Sequence, residues 1–302
     1  MGQLDPAFET ILNQFASLPA ISDGTVEQAR QGNDLGCQLG ISRVAPMHEV
    51  KDEDANGVRV RIYLPVEENQ CRASILYFHG GGFVVGSLEG YDHLMREIAE
   101  MSQSVVISVG YRLAPEHPFP AAVEDANCAW KWLCHNPLGE RPRIVAGDSA
   151  GGCLAAVVAI GARDDGDRID GQLLWYPAVG LDENLSSVRD FGEGYFLTRK
   201  DIEWFGERYL GSRERRLDWR VDPALHPDLS GLAPAVVVVA EFDPLRDGGC
   251  NYARKLTECG VETHLEVGQG MIHGFANMIG LVPAARKIVN ESLELAVERA
   301  SA

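Results

Sequence analysis

Two spacings of apolar residues alternate along most of the chain. Short apolar runs at 73–78, 105–109, 143–146, 171–176, 235–240 and 263–267 fit strands buried in a sheet, and 58–64 alternates apolar with polar, as a strand covered on one face does. Between these runs, apolar residues recur every third or fourth position over 91–101, 121–134, 251–259 and 284–297, which predicts helices, and the small-residue stretch from Ala150 predicts a helix apolar on all sides. Strand and helix in alternation predict a mostly parallel sheet with helices on both faces. Ligands of such a sheet sit beyond the carboxyl ends of its strands.

Two stretches stand outside the alternation. Ahead of the first strand, Ala7, Phe8, Ile11, Leu12 and Phe15 recur at helical spacing, and a weaker helical pattern follows from Thr25 to about Gln38. Neither helix can bury its stripe alone, so both must lie against the sheet that follows. Between Pro177 and Pro234 the chain is far longer than a strand-to-helix connection needs, and it carries Gly194-Tyr195-Phe196-Leu197-Thr198 and an aromatic helix pattern at Trp204, Phe205 and Tyr209. This reads as a lid, with Thr198 capping a helix that begins near Arg199 and Asp201 in its first turn. Its aromatics are as well suited to packing on the core as to touching substrate.

Composition narrows the function. The 302 residues, 45% of them hydrophobic, suffice for one large α/β domain. With 27 basic against 44 acidic residues the formal net charge is −17, which argues against nucleic acid or an anionic membrane surface as partner. No stretch approaches the roughly 20 apolar residues of a membrane helix, and the first residues lack the basic-then-apolar pattern of a leader, so a cytoplasmic protein is expected. The seven cysteines form no C-x-x-C pair and no zinc-type cluster with histidine. They read as core thiols, and no metal or cofactor is expected.

The chemistry centres on Gly147-Asp148-Ser149-Ala150-Gly151-Gly152, between the strand ending at Ala146 and the small-residue helix after it. Glycine two positions to either side of a serine at a strand-to-helix junction fits the nucleophile-elbow pattern G-x-S-x-G. The turn is so tight there that a side chain at 147 or 151 would strike neighbouring backbone. A serine N-cap is the plainer alternative, and Cys153 is a lesser candidate nucleophile. If Ser149 is the nucleophile, its partners should follow in the order acid, then histidine. Of His226, His264 and His273, only His273 follows the last strand, in the glycine-rich stretch Gly268-Gln269-Gly270-Met271-Ile272-His273-Gly274, read as a loop. Asp243, at the carboxyl end of the strand 235–240, is the expected orienting acid; Glu241 is the alternative, and Asp247 is better suited to helix capping and pairing with Arg246. The loop His79-Gly80-Gly81-Gly82-Phe83, directly after another strand, supplies flexible backbone. Gly81, Gly82 and Ala150 are expected to donate their N–H groups to an oxyanion. His79 reads as a brace for that loop.

These motifs, with Tyr111-Arg112-Leu113-Ala114-Pro115-Glu116-His117-Pro118-Phe119-Pro120-Ala121, Asp243-Pro244-Leu245-Arg246-Asp247 and His273-Gly274-Phe275, resemble in order and spacing those of the hormone-sensitive-lipase-like esterases, from about Val58 to the C-terminus. The resemblance implies an α/β-hydrolase fold with an eight-stranded, mostly parallel sheet and a helical cap. It divides the chain into cap segments at 1–47 and 181–215 and a core at 48–180 and 216–302. It also implies a serine carboxylesterase for short- to medium-chain esters, with Ser149, His273 and Asp243 as triad. An aryl-amide or acetyl-amide hydrolase on the same triad and a non-catalytic small-molecule receptor are the alternatives. Phe83, Phe196, Trp204 and Phe205 are the expected pocket side chains, with Phe8, Phe15 and Tyr209 as further cap candidates. Dimerisation through the last strand and helix is an expectation of the same origin. The sequence departs from the family at Gly248, where glutamate is common, and at Cys153, where asparagine is. The Tyr111 to Pro120 segment is expected to be a structural brace, with Arg112 and Glu116 as ion-pair partners.

Overall fold

The computed structural model describes residues 2–15, 20–41 and 43–302, without the side chains of Phe15 and Arg213. Eight strands form one sheet: β1 (Glu49–Ala55), β2 (Val58–Leu64), β3 (Ser74–Phe78), β4 (Val105–Val109), β5 (Arg143–Asp148), β6 (Gly171–Trp175), β7 (Ala235–Phe242) and β8 (Thr263–Ile272). Their order is β1-β2-β4-β3-β5-β6-β7-β8; β1 and β2 run antiparallel, and all pairs from β4 to β8 are parallel. β1 has the sequence EVKDEDA, almost without apolar positions, and so gives no hydrophobic signal. At the sheet edge it needs none, and its charges keep that edge from pairing with another chain.

Alternate residues of each strand feed two apolar layers, as the two-residue period requires. Leu76 faces the layer with Trp130 and Leu133 of α4 (Ala121–Cys134), Leu154 of α5 (Ala150–Asp165) and Tyr252 of α8 (Arg246–Glu258). Ile75 and Tyr77 face the layer with Leu94 and Ile98 of α3 (Asp92–Ser102) and Val289 and Leu293 of α9 (Pro283–Ala300). The first helix, α1 (Pro6–Phe15), adds Phe8 and Ile11 to the second layer, and α2 (Val26–Leu39) starts at a capping box between Thr25 and Gln28. Phe8 is therefore core and does not line a pocket.

The long interval after β6 contains a short helix that the sequence pattern does not reveal, α6 (Ser186–Phe191), and the expected one, α7 (Arg199–Leu210). Thr198 and Asp201 close the capping box of α7, and the Ser22 N–H donates to Asp201 at 3.1 Å. The N-terminal segment and the insertion thus meet at Ser22 and Asp201. Among the described residues no helix is long and apolar enough to cross a membrane.

The brace differs from expectation in one detail. Arg112 and Glu116 both form ion pairs, but not with each other: Arg112 binds Asp125 at 2.7 Å and Glu124 at 3.2 Å, while Glu116 binds Arg30 of α2 at 2.6 Å. The partners come from other helices, which local spacing cannot reveal.

Candidate active site

β5 ends at Asp148 and α5 begins at Ala150, so Ser149 must turn the chain alone. Its φ of 53° and ψ of −119° are strained for a residue with a side chain. Flanking bonds hold it there: the Ser149 N–H donates to Trp175 O at 2.9 Å, and its carbonyl accepts from Ala178 at 2.9 Å and Cys153 at 3.2 Å. The two glycines are obligatory. A Cβ on Gly147 would lie 2.4 Å from Gly151 backbone, and one on Gly151 would lie 1.9 Å from Phe78 O. The positive end of the α5 dipole points at the serine, and α5 has no acidic residue in its first turn to cancel it.

Ser149 Oγ lies 2.9 Å from His273 Nε2, and His273 Nδ1 lies 2.7 Å from Asp243 Oδ2. Both His273 and Asp243 are buried. Donating Nδ1–H to the carboxylate leaves Nε2 free to accept the serine proton. The other Asp243 oxygen accepts the Leu245 N–H at 2.8 Å, which fixes the carboxylate plane. An imidazole so oriented, beside a serine on a strained turn, can deprotonate that serine for attack on a carbonyl carbon.

The stretch 268–272 is not a loop. β8 continues through it to Ile272, paired to Phe242 across an irregularity near Glu241, so His273 projects from a strand end. Glu241 sustains the irregularity: it accepts from the Gly270 N–H at 3.0 Å and the Gly2 N–H at 2.6 Å. It is thereby committed to backbone, and Asp243 alone reaches the histidine. Asp247 pairs with Arg246 at 2.8 Å and also accepts from Ser187 N at 2.9 Å, so it holds the start of α6 rather than capping α8. Cys153 is fully buried, and burial pushes its thiol up, away from the thiolate a nucleophile needs.

Gly81 (φ 109°), Gly82 (φ 58°) and Phe83 (φ 64°) form a left-handed turn shortly after β3. The N–H groups of Gly81, Gly82 and Ala150 donate to no acceptor among the described residues. A family profile described as alpha/beta hydrolase fold matches residues 75–277, which hold the glycine turn, the serine and His273. The chain belongs to the hormone-sensitive-lipase-like family of that fold. This family member is 38% identical to "Esterase LipI" of Mycobacterium tuberculosis over 96% of its own length and 93% of the relative's. It is 36% identical to "Carboxylesterase NlhH" of the same species over 96% and 94% of the two chains. Its fold superposes on the hyperthermophilic esterase of the archaeon Pyrobaculum calidifontis with a TM-score of 0.93 and 39% identity, covering 99% and 100% of the chains.

One residue of this hormone-sensitive-lipase-like site escapes sequence reading. Asp148, 2% exposed, accepts from Tyr77 Oη at 2.9 Å, Gly80 N at 2.9 Å and Tyr91 Oη at 3.1 Å. It joins the serine turn to the glycine loop from behind, and Asn277, beyond His273, approaches it at 3.5 Å. A carboxylate closing an apolar strand was the only available signal. His79 is the second brace: its ring stacks on Tyr111 at 4.3 Å, Nδ1 meets Gly80 O at 2.7 Å, and burial pushes its pKa down to about 4.

Of the expected pocket side chains, Phe205 lies against Gly82 and Phe196 lies against Gly274, next to His273. Phe83 stacks on Tyr209 at 3.9 Å. Trp204 is buried edge-on to Phe205, with the Arg208 guanidinium 3.7 Å over its ring. The Phe15 side chain lies outside the described residues. Among the described residues no group of three or more His, Cys, Asp or Glu side chains is placed to hold a metal ion.

Proposed function

We propose that the chain is a serine carboxylesterase for short- to medium-chain esters. The single observation that carries this reading is the hydrogen-bonded line from Ser149 Oγ through His273 to Asp243, at 2.9 and 2.7 Å. Ser149 Oγ attacks the ester carbonyl and His273 Nε2 takes its proton. The oxyanion accepts hydrogen bonds from the Gly81, Gly82 and Ala150 N–H groups, and Asp243 stabilises the imidazolium. Collapse expels the alcohol, protonated by His273, and leaves an acyl group on Ser149. Water, deprotonated by His273, then releases the acid. The names of the relatives support the ester as the bond attacked.

In this reading segments 1–47 and 181–215 are a cap over the core, and Phe196 and Phe205 border the substrate. The cytoplasm is the proposed location, supported by seven cysteines without a disulfide. A homodimer through the free edge of β8 and α9 is proposed too, and gel filtration at low micromolar concentration checks it. Ser149→Ala tests the mechanism: turnover of 4-nitrophenyl acetate is expected to fall by about 10⁴-fold or more. Near-normal turnover in that variant would overturn the assignment.

A further inference from the structure

We propose that α2 clamps the oxyanion turn in its working shape through Arg30, a positioning role distinct from covering the site. The proposal rests on the reading of Gly81 and Gly82 as oxyanion donors. Arg30 donates Nε–H to Val84 O at 2.9 Å and an Nη2 hydrogen to Ala114 O at 3.0 Å. Val84 closes the glycine turn, since its N–H and that of Val85 both donate to Gly81 O at 3.0 Å. Ala114 in turn donates its own N–H to Phe83 O at 2.9 Å. One guanidinium therefore bridges the oxyanion turn and the brace segment at the point where they already touch.

The turn needs such support. Three successive residues with φ of 109°, 58° and 64°, the last a phenylalanine, are not a conformation this sequence would hold by itself. Four residues on, and so on the same face of α2, Asp34 grips the far end of the segment. It accepts from Ser87 Oγ at 2.6 Å, and Ser87 Oγ accepts from Gly90 N at 2.9 Å. A Cβ on Gly90 would lie 2.4 Å from Asp34 Oδ1, so the helix is seated directly on the chain. Glu116, more than half exposed, takes two of the three remaining guanidinium hydrogens at 2.9 and 2.6 Å. The planar fork serves two carbonyls at once, which a lysine ammonium on a flexible stem does not reproduce.

The test uses the full chain carrying Arg30→Ala, Arg30→Lys or Glu116→Gln, assayed on 4-nitrophenyl acetate. Active sites are titrated with an organophosphonate, so that kcat refers to folded, reactive enzyme only. Arg30→Ala is expected to lower kcat per site about 10- to 100-fold with KM within about twofold, short of the loss of a whole oxyanion donor. Arg30→Lys, which keeps the charge and serves as the folded variant should alanine not be tolerated, is expected to recover little of it. Glu116→Gln, which leaves both carbonyl contacts in place, is expected to stay within about twofold of the parent. Unchanged kcat per site in the Arg30 variants, full recovery by lysine, a loss confined to KM, or an equal loss in Glu116→Gln would overturn the clamp. An active Ser149→Ala enzyme would overturn the underlying reading instead, so the two failures are distinguishable.

Discussion

Phe205 lays its ring on Gly82 so closely that a Cβ on the glycine would lie 2.3 Å from the ring. Helix α7 therefore reaches the proposed oxyanion site itself. Gly82→Ala is expected to lower kcat on the order of 100-fold, because the added methyl must displace either the ring or the donor N–H. Phe205→Ala removes the obstacle from the other side. Its expected effect is an increase of about tenfold in kcat/KM for octanoate relative to acetate esters, read from a chain-length series.

Asp243→Asn tests the orienting role. An amide in place of the carboxylate can present its NH₂ to His273 Nδ1 and turn the imidazole to the wrong tautomer. A loss of about 10⁴-fold in kcat with little change in thermal midpoint is expected. Glu241→Gln, two residues away, is the contrast: it should cost stability through the Gly2 and Gly270 contacts and leave kcat per active site within a few-fold.

Acid should weaken the fold through His79. Burial holds its pKa at about 4 against an ordinary 6.5, so between these values the unfolded chain binds a proton that the folded chain does not. Stability then rises with pH across that window: the contribution is complete above 6.5 and is lost as pH falls to 4. Its size is about 3 kcal/mol. Urea midpoints from pH 7 to pH 4 measure it, and His79→Asn should flatten this part of the profile.

Asp148→Ala should cost about 1–3 kcal/mol for each donor left without a partner, since Tyr77, Tyr91 and the Gly80 N–H each lose a buried acceptor. Because Gly80 adjoins the proposed oxyanion glycines, kcat should fall with stability, and urea unfolding beside steady-state kinetics would show both.

Much of this was legible in the chain. The hydrogen-bonded line of Ser149, His273 and Asp243 could be anticipated because an elbow needs glycines at fixed positions and its proposed partners must follow at strand ends in a set order. The helix at 121–134 could be read from spacing alone. What escaped depends on distant partners. β1 hides because an edge strand of EVKDEDA has no apolar stripe. Gly268 and Gly270 suggested a loop, yet Glu241, from the neighbouring strand, satisfies the Gly270 N–H and carries β8 onward. Asp148 and Arg30 draw their roles from carbonyls and hydroxyls dozens of residues away.

The shape of the serine turn is borne by backbone bonds to Trp175, Ala178 and Cys153 and by two glycines, and none of it involves the serine hydroxyl. A chain with that hydroxyl removed should thus keep an undamaged receptacle, able to retain an intact ester without consuming it. The disarmed protein becomes bait, and whatever it withdraws from a mixture of natural esters is a direct record of what the active form encounters.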